Sequence, residues 1–517
     1  MSSWSMGYTT DTSYEAKYFG MLNPYLLRLL FLSQGLAFPK LGAQTTACEL
    51  GFGQGLSVVL HGAATKVQWY GNDFMPSQVL FANHLAKQGE VKVNLSDDAF
   101  DEFLKRDDLP MFDYICLHGI WSWISKSNQD VIVEFIKKKL KVGGVLYISY
   151  NVTAVNETIE PIRFLLKSYI DTKGSPNLTN VQNLPAAFNF VSELIKLKPQ
   201  YIKHNPHASD LFQNKMYSRD HNYIAHEYLN NSWQLESFAK VAKKLESAKL
   251  SYVCQALPLE NMDNLQFSPD EIALFKEQSD LGVQLQLKDY FRQASFRTDV
   301  YTKGIVKLSA KQQLEQLDDT YFILIHNLSS KEPKTVNCRV GNNTKVNLEA
   351  FKPILDLMSD YQVHSYKELR QALCQESNPI MSTSELTDLI VYATAASILD
   401  VAINPQEIDE ATIDSCRKLN LFLTEHNSQS SIEVLASPIT GGGVFADNLT
   451  QKLLHAFMLN ENLTKPQLIE LMKESLKQNS DNQDLDLDTQ AITDTLDEFA
   501  QTFLKFNLPL FKSLKII

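Results

Sequence analysis

Between residues 45 and 152, short apolar runs alternate with stretches whose apolar residues recur every three or four positions. The runs Thr46–Leu50, Val67–Asp73, Val91–Leu95, Phe112–His118 and Gly144–Tyr150 have the length of strands, and the stretches between them have the length of helices. This alternation predicts an α/β domain with a mostly parallel sheet covered on both faces. Ligands of such sheets bind at the carboxyl ends of the strands. The unusual residues of the chain gather there: Glu49 through Gly55, Asp73, Asp97 and Asp98, His118 through Trp123, and Tyr150 with Asn151.

From about 155 to 310 helical periodicity dominates, as in Glu157–Tyr169, Ala187–Leu197, Trp233–Leu250 and Pro269–Leu281. A polar, turn-rich interval, Asn327 to Thr344, has the composition of a linker or of a hairpin with a long loop. Helical patterning then returns in Leu348–Met358, Tyr366–Cys374, Ser384–Ser397, Leu453–Leu459, Pro466–Leu476 and Ile492–Leu504. Gly441-Gly442-Gly443 reads as a flexible turn and the acidic interval Asp481 to Asp488 as an exposed loop. The expected division is an N-terminal helical segment over 1–44 that covers the site, a Rossmann-like domain over 45–155, a mainly helical middle domain over 156–326 and a mainly helical C-terminal domain over 345–517.

The first apolar run ends in Glu49-Leu50-Gly51-Phe52-Gly53-Gln54-Gly55 and leads into the helix-like Leu56–Leu60. Glycines here let the backbone approach a ligand and take up positive φ, and the helix start behind them offers unpaired N–H groups. A dinucleotide fingerprint needs its third glycine one residue later, where this chain has Leu56, so NAD is not the first choice. Glu49, standing where a phosphate-binding lysine would otherwise help, suits a cationic or amino-acid-bearing ligand. Asp73, at the end of the second run, can accept both hydroxyls of a ribose, or it can cap the helix that follows. Asp98 can reach the exocyclic amine of an adenine, or cap the helix beginning near Ala99. With Phe74 and Ala99 as neighbouring candidate contacts, these residues resemble, in order, the layout of a class I S-adenosylmethionine (SAM) methyltransferase, which implies SAM as the expected cofactor.

Composition narrows the picture. The chain of 517 residues is 44% hydrophobic and 21% charged, which allows two to four globular domains. A net charge of −12, from 48 basic and 60 acidic side chains, argues against non-specific nucleic-acid binding. The run Lys137-Lys138-Lys139 with Lys141 reads as a solvated helix face. No apolar stretch reaches the roughly 18 to 20 residues that span a bilayer. The best, Leu26 to Phe38, is short and carries Arg28, and no signal pattern opens the chain. Six dispersed cysteines without a Cys-x-x-Cys indicate neither a zinc site nor a disulfide framework, and the expected compartment is a reducing cytoplasm.

Methyl transfer from a sulfonium needs alignment and a deprotonated nucleophile, without metal or covalent intermediate. The segment after the fourth run reads Leu117-His118-Gly119-Ile120 rather than an Asn/Asp-Pro-Pro-Tyr signature, and Cys116 lies inside the run without a preceding proline. Amide-type and cytosine C5 chemistry are therefore disfavoured. His118, Trp121, Trp123 and Tyr150, with Asn151, stand at the expected mouth, and aromatic faces suit an alkylammonium. His118, Trp121, Tyr150 and Asn151 are thus the catalytic candidates, with His118 also a candidate cofactor contact. The competing reading makes the tryptophans packing residues and His118 a structural hydrogen-bonding partner. His221 and His226, five apart, do not share a helical face for a metal. The stretch from Tyr217 to Tyr228 reads instead as a buried polar network from which Tyr223 or His226 could reach substrate, and Arg297 with Asp299 as a structural ion pair.

A resemblance adds to this. Phe112 through Trp123 and Leu140 through Asn151 resemble the fourth and fifth strand motifs of bacterial methyltransferases that carry a methyltransferase regulatory domain. His204-Asn205-Pro206, Arg219 through Leu229, and Phe296-Arg297-Thr298-Asp299 are similar to signatures of that regulatory domain. The likeness spans about 45 to 305 and weakens beyond. One departure is Val152-Thr153-Ala154-Val155, where many members carry Pro-Gly-Trp, so the lip of the site is expected to differ in shape. The best-understood relatives are rickettsial protein-lysine methyltransferases of an outer-membrane protein. The resemblance implies SAM as cofactor, S-adenosylhomocysteine as product, and a protein lysine as acceptor, on a surface protein before export. The alternatives are a methyltransferase of a small molecule or RNA, and a non-catalytic SAM-binding interaction protein. A homodimer is compatible with the helical regions, though the periodicity does not demand one.

Overall fold

Strands β1 (Thr46–Leu50), β2 (Gln68–Asn72), β3 (Val93–Ser96), β4 (Phe112–Leu117) and β5 (Leu140–Asn151) lie parallel, each where an apolar run predicts one. The computed structural model describes residues 15–330, 333–338, 341–375, 377, 379–427, 432–479 and 489–517. The acidic interval 481–488 lies outside the described residues.

Two further strands complete the sheet from the middle of the chain, β6 (Ser251–Gln255) and β7 (Phe296–Thr302), giving the order β3-β2-β1-β4-β5-β7-β6. β7 runs antiparallel to β5, with Tyr150 opposite Arg297 and Asn151 opposite Phe296. The middle region is therefore not purely helical. Its strand pattern is masked because two of the inward positions of β7 are charged: Arg297 and Asp299 are fully buried and pair at 2.8 Å, with Arg297 also held by Asp289 at 2.8 Å.

The sheet buries a separate core on each face. One includes Ile132, Phe135 and Ile136 of the helix Lys126–Lys139 with Phe238, Val241 and Leu245 of the helix Phe238–Glu246. The other contains the helices Pro24–Ser33, Leu56–Ala64 and Pro76–Gln88, and runs without a break into the C-terminal region. The helix Leu56–Ala64 is apolar on nearly every side because it is covered twice. Behind it lies the sheet, and over it pack the helix Glu410–Glu425 and the hairpin formed by Val434–Ser437 and Gly442–Phe445, with Cys416 Sγ against the carbonyl of Ala63 at 3.4 Å. A third core holds together the helices Thr153–Lys173, Asn180–Lys196 and His221–Tyr228.

Other expectations change in detail. Trp233–Leu250 is helical only from Phe238, where Ser237 caps the start; before it the chain runs extended and Glu236 N–H donates to the carbonyl of Asn151 at 3.0 Å. Pro269–Leu281 breaks at Lys276, and a new helix starts at Leu281 under an Asp280 cap. The interval 327–344 contains a hairpin, Thr335–Cys338 with Gly341–Lys345. The C-terminal region adds a three-stranded antiparallel sheet of Tyr321–Leu324, Val363–Ser365 and Leu399–Ala402 to its helices. Gly441 ends a packed turn and Gly442 and Gly443 begin the second strand of the hairpin, set against Tyr18, Tyr25 and Ile403, rather than forming a loose turn. No described helix is long and apolar enough to cross a membrane.

Candidate active site

Glu49 sits in β1, the middle one of the five parallel strands, flanked by Gly71 of β2 and Cys116 of β4. Gly71 lets this carboxylate's strand close up, since a Cβ there would lie 2.8 Å from the carbonyl of Glu49. The turn that follows has Gly51, Gly53 and Gly55 at φ of +64°, +60° and +71°, a conformation open to glycine and costly for other residues. It is fixed from β2: Gly51 N–H donates to the carbonyl of Asn72 at 2.8 Å and Gly53 N–H to Asp73 Oδ2 at 2.9 Å. Gly55 then caps the helix Leu56–Ala64.

These residues open onto a cavity at the carboxyl ends of the parallel strands. It is lined by Glu49, Gly51, Phe52, Gly53 and Gly55, by Asp73 and Phe74, by Ala99 and Phe100, and by His118, Ile120 and Trp123. Two other parts of the chain close it. Residues 15–19 run along it, with Glu15, Lys17 and Phe19 as walls, and the helix His221–Tyr228 contributes His226 and Glu227.

The cavity thus gathers Glu49, Gly51, Phe52, Gly53, Gly55, Asp73, Phe74, Ala99 and His118 of the sequence candidates, and leaves out four. Asp98 is turned aside, its carboxylate bound to Arg106 at 3.0 Å and to Ser96 at 2.8 Å. Trp121 is core, with the Lys244 ammonium 5.4 Å from its ring centre. Tyr150 is fully buried and its hydroxyl donates to Asp299, so it belongs to the ionic cluster of β7. Asn151 stands behind the wall: its Nδ2 donates to Glu227 Oε1 at 2.9 Å, which makes it a support.

Electrostatics inside the cavity are unusual. Glu49 is buried with Oε2 lacking any hydrogen-bond partner, and burial, then the nearby Asp73, pushes its pKa up to about 8. Burial likewise raises Asp73 to about 7 against the stabilising N–H groups of Met75 and Gly53. His118 is lowered to about 3 by burial and by Lys17, so its ring is neutral near pH 7; Nδ1 lies 2.7 Å from the Tyr147 hydroxyl and Phe19 covers the ring at 3.9 Å. Glu227 is raised to about 7 by burial. Among the described residues, no group of three or more His, Cys, Asp or Glu is placed to hold a metal ion.

Glu227 escapes a reading by strand ends because it does not belong to the sheet, whereas residues 15–19 fall in the N-terminal stretch expected over the site and line the cavity outside any helix. Glu227 does lie within the Arg219–Leu229 signature, as its one acid beyond Asp220.

Comparison with known proteins agrees with this layout. Residues 220–303 match the family model described as a predicted methyltransferase regulatory domain. An uncharacterized protein of Synechocystis sp. is 29% identical over 462 residues, 88% of this chain and 88% of its own. An uncharacterized protein of Rickettsia prowazekii is 23% identical over 346 residues, 66% of this chain and 60% of its own. The structure of PKMT2 from Rickettsia typhi in complex with AdoHcy superposes with a TM-score of 0.68 at 17% identity, covering 97% of this chain and 99% of that one. A second structure of PKMT2 gives a TM-score of 0.64 at 18% identity. The chain shares its fold with PKMT2, and the segment that matches the regulatory-domain model supplies β6 and β7 of the sheet.

Proposed function

We propose that this protein is a SAM-dependent methyltransferase whose acceptor is the lysine side chain of a protein. The observation that carries the reading is the buried, unpaired Oε2 of Glu49 beside three glycines of positive φ. A buried carboxylate oxygen without a partner is costly, and a ligand ammonium at that point relieves it. SAM carries one on its amino-acid end. The complex of the similarly folded PKMT2 with AdoHcy supports the same cofactor class here.

In this reading Glu49 binds the ammonium, and the turn from Gly51 to Gly55 lets the cofactor lie against backbone. The carboxylate of Asp73 accepts two backbone N–H groups and the amide of Gln78, and its remaining lone-pair capacity faces the cavity for ribose hydroxyls. Phe74, Ala99 and Phe100 wall the part of the cavity beyond Asp73. Bound there, the cofactor supplies a methyl group activated by a sulfonium. His118, held neutral, and Phe19 close the floor against water without adding a repelling charge. Trp123, with Nε1 tied to the carbonyl of Glu227 at 3.0 Å, offers an aromatic wall on the acceptor side.

An amine acceptor suits these walls better than a phosphodiester, which the acid of the cavity and the net charge of −12 both repel. The resemblance to rickettsial enzymes supports a surface protein methylated in the cytoplasm before export. The test is to incubate the enzyme with methyl-labelled SAM and a bacterial cell extract and to identify the labelled macromolecule. Label in protein, recovered as methyllysine, is expected. Label confined to RNA or to small metabolites removes the lysine reading, and SAM binding without any label leaves the interaction-protein alternative.

A further inference from the structure

Glu227 is the carboxylate that the middle domain brings to the cavity, and its place is secured from three sides. Asn151, at the end of β5, donates to Oε1, Trp123 donates to its backbone carbonyl, and Asp220 caps the first turn of its helix. A carboxylate oriented by Asn151, on a backbone fixed by an indole that lines the same cavity, supplies with that indole two sides of an ammonium site. We propose that Glu227 receives the alkylammonium of the acceptor and takes its proton before methyl transfer, an assignment that rests on the methyltransferase reading above.

The chemistry balances on these groups. The ammonium binds against the carboxylate and gives it one proton. The amine lone pair then forms the new N–C bond while the C–S bond of the donor breaks, its electron pair remaining on sulfur. The product leaves as a methylammonium, and the proton on Glu227 passes to solvent at the mouth. A carboxyl group suits this role when its pKa lies near the working pH. Burial raises Glu227 to about 7, with Asn151, Lys215 and Arg163 acting in the opposite direction. The other titratable groups around it are Tyr223, Tyr228 and His226 of its own helix, Arg219 before that helix, and Glu15 of the N-terminal segment. Lys215 and Arg163 favour the ionised carboxylate; Glu15 across the cavity adds to the acidic field that draws in a cation.

The experiment uses the full chain with Glu227→Gln and Glu227→Asp. SAM affinity is read by calorimetry. Binding of n-butylamine, an alkylammonium probe, is read in the presence of S-adenosylhomocysteine, and methyl transfer to the labelled protein acceptor is followed from pH 6 to 9. In Glu227→Gln, SAM affinity is expected to stay within about twofold while n-butylamine binding falls by about tenfold or more, the loss of a charge-assisted contact. Transfer is expected to fall by about a hundredfold or more, with the acid limb near pH 7 removed. Glu227→Asp restores part of the amine binding. Unchanged n-butylamine binding and an unchanged pH profile in Glu227→Gln, with SAM bound normally, overturn this assignment alone. Failure of the unmodified protein to bind SAM overturns both this assignment and the function it rests on.

Discussion

Oδ2 of Asp73 accepts the backbone N–H of Gly53 at 2.9 Å, which joins the end of β2 to the glycine turn that follows β1. Oδ1 of the same side chain accepts the N–H of Met75 at 3.0 Å. One carboxylate therefore shapes the turn as well as facing the cavity. Asp73→Ala should remove both bonds, lower stability by about 1–3 kcal/mol for the donors left buried, and abolish SAM binding. Asp73→Asn retains an acceptor for one N–H and should fall between. Thermal melts and calorimetry on the two variants check this order.

Glu49 gives a pH signature. Its folded pKa, about 8, lies above the ordinary carboxyl value, so its contribution to stability is full below that ordinary value and is lost as pH rises through 8. Between pH 7 and 8 His61 and His118, both lowered to about 3, are neutral folded and largely neutral unfolded, so they do not oppose the trend there. Asp73, Glu227 and Asp400, each raised to about 7 by burial, contribute stability that is likewise lost as pH rises. An ammonium placed at Oε2 favours the ionised form, so binding near pH 7 should release up to roughly one proton, and affinity should rise from pH 6 to 7.5. Calorimetry of S-adenosylhomocysteine in buffers of different ionisation enthalpy measures this release. Glu49→Gln should reduce the release and lessen, without removing, the fall in stability between pH 7 and 8.

The segment 15–19 links the C-terminal region to the cavity by simple alternation. Glu15, Lys17 and Phe19 line the cavity, whereas Ala16 and Tyr18, with part of Phe19, pack against the core shared with the C-terminal region. The Tyr18 hydroxyl lies 3.2 Å from Nε2 of His61, and its ring rests on Gly442 and Gly443 of the C-terminal hairpin. A Cβ on Gly442 would collide with that hydroxyl. Tyr18→Ala and Gly442→Ala should share one phenotype: a rise in KM for the acceptor of about tenfold as the wall loosens, with the core fold retained. Steady-state kinetics and circular dichroism on both variants check it.

Arg297 shows the cost of a buried charge network. It is fully buried between Asp289 and Asp299, with Phe238 beneath the guanidinium at 5.0 Å. Arg297→Met should destabilise by about 3–5 kcal/mol, because Asp299 loses its cation and Asp289 keeps only Arg292, at 3.2 Å. Denaturant unfolding measures it, and Tyr150→Phe, which removes the hydroxyl bound to Asp299, should cost less.

The parallel part of the sheet is legible in the sequence because β1, β4 and most of β5 are buried on both faces and read as largely apolar runs. The cofactor half of the cavity follows from it, since strand ends and glycines mark themselves. β6 and β7 are hidden, the latter because Arg297 and Asp299 interrupt its apolar pattern while satisfying each other inside. The same cluster explains Tyr150, which stands at a strand end as a catalytic group would but turns to Asp299. Asp98 is diverted by Arg106, eight residues ahead, a pairing that strand-end position alone does not reveal. Glu227 reaches the site through packing between distant segments, which periodicity does not encode; residues 15–19 belong to the stretch expected over the site, but lie there outside any helix.

The central claim is that SAM occupies the turn from Gly51 to Gly55 against Glu49. Calorimetric titration of SAM into the full chain and into Gly53→Val, whose side chain is strained at a φ of +60°, tests it most directly. One-to-one binding by the unmodified protein, lost in Gly53→Val while its melting temperature stays within a few degrees, is the expected result. Equal binding by both proteins, or none by the unmodified one, would contradict the account.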